Sequence, residues 1–233
     1  MNILALDTSG PVCGVAITQD GGVVYEAAAV NKLTHSVNLL PMVEEGCIRA
    51  GLTLSQMDRL AVVAGPGSFT GVRIGISTVK ALAHGSEKPC VAIDALEVMA
   101  AGIPAFNGVL CPIQDARAGQ VYGAAFRAGM PPQRLMEDEP LKIEQYIEKI
   151  RPMGEAFLFL GDGVVVHRVV ISSLLGEKAL FAPAHCSYLR PSSAALLAQC
   201  YQDKTVDYLE LAPYYLRAPQ AERLRLSKEA AHG

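Results

Sequence analysis

A chain of 233 residues that is 51% hydrophobic and 18% charged has ample apolar side chains for a large core, which excludes a disordered chain. Its net charge of −3 argues against a protein whose main task is to grip nucleic acid, because that task calls for a basic surface. Cys13, Cys47, Cys90, Cys111, Cys186 and Cys200 are scattered without a Cys-x-x-Cys pair, so they read as reduced thiols rather than disulfides or zinc ligands.

Residues 2–7 and 12–18 predict two strands joined as a hairpin through Thr8, Ser9, Gly10 and Pro11, and 22–30 adds a third after Asp20-Gly21-Gly22. The chain opens on a strand, without the basic region and long apolar run of a signal peptide, and no segment has the length of a membrane span. A cytoplasmic protein without a membrane partner is expected. A helix is predicted over 35–50, entered through Thr34 or Ser36 and stopped at Gly51, with Pro41 tolerable only in its first turns. A strand at 59–64 follows, then a glycine loop, a helix at 70–84, a strand at 90–93 and a short helix at 94–101.

The loop reads Gly65-Pro66-Gly67-Ser68-Phe69-Thr70-Gly71-Val72-Arg73-Ile74-Gly75 and joins a buried strand to a helix start. Free backbone N–H groups and the helix dipole favour an anion at such a place. Two phosphate motifs are nevertheless excluded. A Walker loop needs Gly-Lys-Ser/Thr, which is absent, and a dinucleotide loop needs G-x-G-x-x-G, whose third glycine arrives here one residue late. Taken alone, the loop is a tight turn with Thr70 as N-cap. In the helix that follows, Val72, Ile76, Val79 and Ala83 recur at the spacing of a buried face.

The start is then echoed. Ile3–Ser9 leads to Cys13–Ile17, and Leu110–Arg117 leads to Tyr122–Phe126: each is an apolar strand ending in Asp, a short turn and a second strand with a glycine near its start. A second lobe on the same strand plan therefore begins near residue 106. It holds a Pro-rich loop at 130–133, a helix near 141–150 and a strand at 156–160 closed by Gly161-Asp162-Gly163. A helix at 192–202, capped by Ser192 or Ser193, carries the chain back, and 206–211 and 213–217 lead into a tail of mixed charge. The units expected are 1–105, 106–191 and 192–233.

The eleven-residue loop, the opening Ile3–Ser9, Asp115-Ala116-Arg117 with Val121-Tyr122, and Tyr215-Leu216-Arg217 together resemble the TsaB (YeaZ) family, over nearly the full chain. The resemblance implies an α/β, two-lobed actin-like ATPase (ribonuclease H-like) fold with duplicated βββαβαβα lobes. It also implies a non-catalytic scaffold that pairs with the catalytic paralogue TsaD and helps recruit the ATPase TsaE. The reaction supported is threonylcarbamoyl transfer to N6 of adenosine 37 in tRNAs that read ANN codons. TsaC, which supplies the adenylate, is a transient partner; the chain pairs with itself when TsaD is absent, and tRNA is met mainly through the complex. The signature loop would be Gly65, Pro66, Gly67, Ser68, Phe69, Thr70, Gly71 and Arg73, and the partner face Leu39, Met42, Ile74, Ser77, Thr78 and Ala81. Asp7, Asp115, Gly161, Asp162 and Gly163 would form a vestigial nucleotide cleft. No cofactor is required by this chain, and ATP or ADP would belong to the interface of the complex.

TsaD binds a metal through His-x-x-x-His after the equivalent helix, and the resemblance places Ala95 and Met99 at those two positions. Neither suits a hard or borderline ion. His35, His84, His167, His185 and His232 supply no replacement pair, and no Gly-x-Ser-x-Gly elbow surrounds Ser9, Ser36, Ser68 or Ser77, so a hydrolase is disfavoured. The alternative is an autonomous actin-like ATPase or phosphotransferase using Asp7 and Asp115; the structural counterweight is that an Asp after a strand commonly satisfies nearby backbone N–H groups.

Overall fold

The echo between the two parts of the sequence becomes, in the computed structural model, a pair of sheets built on one plan; the residues described are 1–30 and 34–217. In the first part, β1 (Asn2–Asp7), β2 (Cys13–Gln19) and β3 (Gly22–Ala29) form an antiparallel meander. Helix α1 (His35–Ala50) then leads to β4 (Arg59–Gly65), α2 (Phe69–Ser86), β5 (Cys90–Asp94) and α3 (Ala95–Ala101). β4 lies parallel to β1, and β5 parallel to β4. The second part repeats this with β6 (Val109–Arg117), β7 (Gln120–Arg127), β8 (Gln133–Lys142), α4 (Ile143–Ile150), β9 (Phe157–Leu160), α5 (Gly163–Leu175), β10 (Ala179–Phe181) and α6 (Pro191–Cys200). A final short strand, β11 (Thr205–Val206), joins the first sheet beside β5. The orders are β11-β5-β4-β1-β2-β3 and β10-β9-β6-β7-β8, so each half is βββαβαβα. This is the two-lobed actin-like fold.

The first strand reads as a continuous apolar run because both of its faces are covered. Side chains alternate across the sheet. Leu4 and Leu6 pack outward against Leu39 and Val43 of α1 and Val72, Ile76 and Val79 of α2. Ile3 and Ala5 face inward, onto Val98 and Met99 of α3 and Ala194, Leu197 and Ala198 of α6. In the second half α4 and α5 cover the outer face through Ile143, Tyr146, Ile147, Val164 and Ile171. Leu96 and Ala100 of α3 also meet Leu110, Ala124 and Phe126 of the second sheet. The last helix of each half therefore sits between the sheets, α6 against β1 and β2 of the half it does not belong to.

Several boundaries differ from the sequence reading. Ser192 does not cap α6: that helix starts at Pro191 behind Arg190, while the Ser192 N–H and hydroxyl both donate to Glu26 on β3. Helix α4 starts at Ile143 rather than 141 because β8 runs on to Lys142. Strands β8 and β10 and helix α5 were not anticipated. Gly51 ends α1 with φ 66°, as the sequence suggests. No helix among the described residues is long and apolar enough to cross a membrane. The charged tail beyond Arg217 lies outside the described residues.

Candidate functional site

Helix α2 is capped by Ser68, not by Thr70. Ser68 is extended (φ −60°, ψ 121°) and its Oγ accepts the Gly71 N–H at 3.3 Å. Thr70 lies within the first turn. The Ser68 N–H donates to the Ser9 carbonyl at 2.7 Å, and the Val72 N–H to the Ser68 carbonyl at 2.8 Å. The turn between β1 and β2 presses directly on this loop. A Cβ at Gly67 would lie 2.2 Å from the Ser9 carbonyl oxygen, and one at Gly71 2.1 Å from that of Thr8. The Thr8 hydroxyl donates to the Gly71 carbonyl at 2.7 Å. Only glycine allows that approach, which occupies the Ser68 N–H and space that a bound phosphate would require.

A cleft of about 560 Å³ separates the halves. Its walls are Pro66 to Thr70, the tip of the β1–β2 turn, Gln114 to Arg117, Asp162, and Tyr214 to Arg217. Asp115 and Asp162 meet there: the Asp162 carboxylate accepts the Asp115 N–H at 3.2 Å, and the Asp115 carboxylate accepts the Arg117 N–H at 2.9 Å. Burial pushes the Asp162 carboxyl up. Gly161 and Gly163 carry the chain past the Ile113 carbonyl and so bring Asp162 to the cleft.

Asp7 is not part of the open wall. It is fully buried at the end of β1, and its Oδ1 accepts both the N–H (2.8 Å) and the hydroxyl (2.7 Å) of Ser9. Its Oδ2 has no hydrogen-bond partner. Burial pushes this carboxyl up to about 6 against the opposing pull of the Ser9 hydrogen bonds and His35. Behind the cleft, Asp7, Asp162, Met99 and Gln114 share a cavity of about 10 Å³, and the Gln114 Oε1 is also unpartnered. The aspartates pointed out by the sequence thus converge, but Asp7 and Asp115 do not face one open space.

A second cross-lobe contact escaped sequence reasoning. Arg134 of β8 lies 3.4 Å from Asp94 at the end of β5, pairs with Asp138, and covers the Phe126 ring at 4.6 Å. Burial and the adjacent Asp138 hold the Asp94 carboxyl well above the usual carboxylate range. Gln114 and the Tyr214–Arg217 segment were likewise missed as parts of the cleft; alternation along β6 places Gln114 inward, but nothing local announces its role. Ala95 and Met99 are buried in the interlobe core. Among the described residues no group of three or more His, Cys, Asp or Glu side chains is placed to hold a metal.

On the outer side, Ser77 and Ala81 are exposed on α2, with Ile74 and Thr78 half-buried beside them and Met42 half-buried on α1. Leu39 is a correction. At 1% exposure it belongs to the lobe's own core, since the turn of the helix directs it onto the sheet. The exposed apolar side chains of α1 are Val37, Leu40 and Ile48 instead. Gly71 and Gly75 of α2 turn inward and pack against Thr8.

A family model described as TsaD, tRNA N6-adenosine threonylcarbamoyltransferase, matches residues 14–225. The tRNA threonylcarbamoyladenosine biosynthesis protein TsaB of Bacillus subtilis is 34% identical over 224 residues, covering 95% of this chain and 96% of that one. The Escherichia coli protein of the same name is 42% identical over 130 residues, 54% of this chain and 55% of that one. A Pseudomonas aeruginosa crystal structure, described as an uncharacterized protein with similarity to peptidase YEAZ, superposes with a TM-score of 0.79 at 27% identity, covering 93% of this chain and 99% of that one. A second structure, YeaZ from the same organism, shares the fold with a TM-score of 0.73 at 24% identity, covering 92% and 99%. Near full-length similarity to TsaB on the same two-lobed plan places the chain in the TsaB (YeaZ) family.

Proposed function

We propose that this chain is a non-catalytic, cytoplasmic subunit required for forming N6-threonylcarbamoyladenosine in tRNA. It pairs with the catalytic paralogue TsaD, helps to form the site for the ATPase TsaE, and meets TsaC only transiently. The observation that carries this reading is the glycine loop. Its Ser68 N–H and the space over Gly67 and Gly71 are taken by the chain's own β1–β2 turn, with the Ser68 N–H on the Ser9 carbonyl at 2.7 Å and no room for a Cβ, let alone a phosphate, over Gly67. Asp7, needed by an autonomous ATPase, is buried and tied to Ser9. Ala95 and Met99 bring no metal-binding chemistry where the paralogue uses histidines. ATP or ADP then belongs to the interface of the complex, and tRNA, given a net charge of −3, is gripped chiefly by the partners.

The partner face is the outer side of α1 and α2. Ser77 and Ala81 are small and exposed, which lets another helix approach closely, and Val37, Leu40 and Ile48 offer apolar area alongside. The same face pairs two copies when TsaD is absent. Ser77→Arg tests this: the variant should stay folded and monomeric, fail to co-purify with TsaD, and fail to support tRNA modification. A folded variant that binds TsaD as tightly as the parent chain places the interface elsewhere.

A further inference from the structure

The segment Tyr214–Arg217 lines the cleft and touches both of its walls. Tyr214 donates its N–H to the Ala64 carbonyl at the end of β4, at 2.7 Å, and its carbonyl sits over Gly65, where a Cβ would come within 2.4 Å. The Tyr215 ring stacks on Phe69 with centroids 4.9 Å apart and planes inclined by 27°. Arg73 covers the Phe69 ring at 3.8 Å while its Nε donates to the Tyr215 hydroxyl at 2.9 Å. Arg217 then crosses to the other half and donates to the Ala116 carbonyl at 3.0 Å.

That carbonyl begins a tight turn. Arg117 and Ala118, both non-glycine, hold φ of 62° and 53°. Left-handed backbone at two adjacent side-chain-bearing residues is unfavourable and persists only where its surroundings enforce it. The segment thus touches the signature loop of one half and braces a strained turn of the other. It does so with partly exposed side chains, Tyr214 at 45% and Tyr215 at 38%, and without joining a helix or a sheet. Stacking and surface hydrogen bonds of this kind are individually weak and readily exchanged.

We propose that Tyr214–Arg217 is a strap that ties the two walls of the interlobe cleft together, so that the halves part, and Gln114 in the cleft wall becomes reactive, only when the strap leaves Phe69, Arg73 and Ala116. This inference stands apart from the assembly reading, since it concerns how the two halves of the chain by itself are held together. Gln114 is only 4% exposed, which makes it a sensitive position for a reporter.

The test places Gln114→Cys in the full chain and follows its alkylation by N-ethylmaleimide, mapped by tandem mass spectrometry so that native thiols are counted separately. Cys90, fully buried in the first sheet, reports any general loosening. Adding Tyr215→Ala with Arg217→Ala should speed labelling at position 114 by about tenfold while Cys90 and the far-ultraviolet circular dichroism stay unchanged. Arg217→Ala alone, which leaves the stack intact, should give about threefold. Labelling at 114 that matches the parent rate in both variants, or that rises only in step with Cys90, overturns the strap.

Discussion

Replacing Asp7 by asparagine should stabilise the chain at neutral pH, although the residue is completely buried and conspicuous at a strand end. Its carboxyl rises from the ordinary 3.8 to about 6, chiefly through burial. Between those pH values the folded chain keeps a proton that the unfolded chain has released. Stability is therefore greatest below the unfolded value, falls as pH rises, and has lost its full share above about 6. At about 1.4 kcal/mol for each pH unit, the buried carboxylate costs the fold about 3 kcal/mol at pH 7. Asparagine keeps an oxygen for the Ser9 N–H and hydroxyl and brings N–H donors to a cavity where the Gln114 Oε1 has no partner. Those two Ser9 bonds lose their charge-assisted strength, about 1 kcal/mol together, which leaves a net gain of about 1–3 kcal/mol. The assay is urea unfolding of parent and variant from pH 4 to 8, followed by far-ultraviolet circular dichroism because the chain has no tryptophan. Taking the difference between the two proteins removes every other titrating group. A gain that grows from near zero at pH 4 to its full size above pH 6 is expected; a variant less stable at pH 7, or a difference that does not change with pH, refutes the reasoning.

Gly67→Ala should prevent folding or cost more than about 3 kcal/mol, since its Cβ would meet the Ser9 carbonyl at 2.2 Å. Gly85→Ala, on the same helix with open space around it, should instead raise stability by about 0.5–1 kcal/mol; thermal unfolding of both variants makes the comparison. Ser68→Ala removes the cap of α2 and should lower stability by about 0.5–2 kcal/mol in urea unfolding, whereas Thr70→Ala should change it little. Asp138→Asn removes the charge that helps hold Asp94 protonated, so Asp94 should ionise at lower pH. A raised carboxyl loses stability as pH rises, so the variant should gain on the parent with increasing pH; a gain only in acid contradicts this.

The elements read correctly from sequence are those whose pattern is set by their own layer. Strand β1 is covered on both faces and gives an unbroken apolar run, and α2 carries Val72, Ile76, Val79 and Ala83 at helical spacing. Helix α5 was invisible for the opposite reason. Val165, Val166 and Val169 are exposed on it, so its Val-rich run shows no helical stripe and β-branched residues suggest a strand. Strand β8 is a polar sheet edge with Pro140 near its end, which hides its period. At the site, the loop and the aspartates could be named in advance, but not their use. Which hydroxyl caps α2 depends on where the chain enters the helix, and Ser68 wins because its N–H is held by Ser9. Leu39 was misplaced because a helix buried on one side and open on the other gives no sequence sign of which leucine, 39 or 40, turns inward. The strap depends on contacts between residues more than a hundred positions apart, such as Arg217 with Ala116, which no local pattern encodes.

The proposed role is one of assembly rather than catalysis. The direct measurement is transfer of the threonylcarbamoyl group to tRNA by the complete reconstituted system, with the parent chain replaced by one carrying both Asp7→Asn and Asp115→Asn. Complex formation is measured on the same samples by size-exclusion chromatography. If the chain assembles rather than catalyses, as proposed, the complex stays intact and the modification rate stays within about twofold of the parent. An intact complex whose rate falls a hundredfold or more, on the order expected for the loss of a catalytic carboxylate, would contradict it.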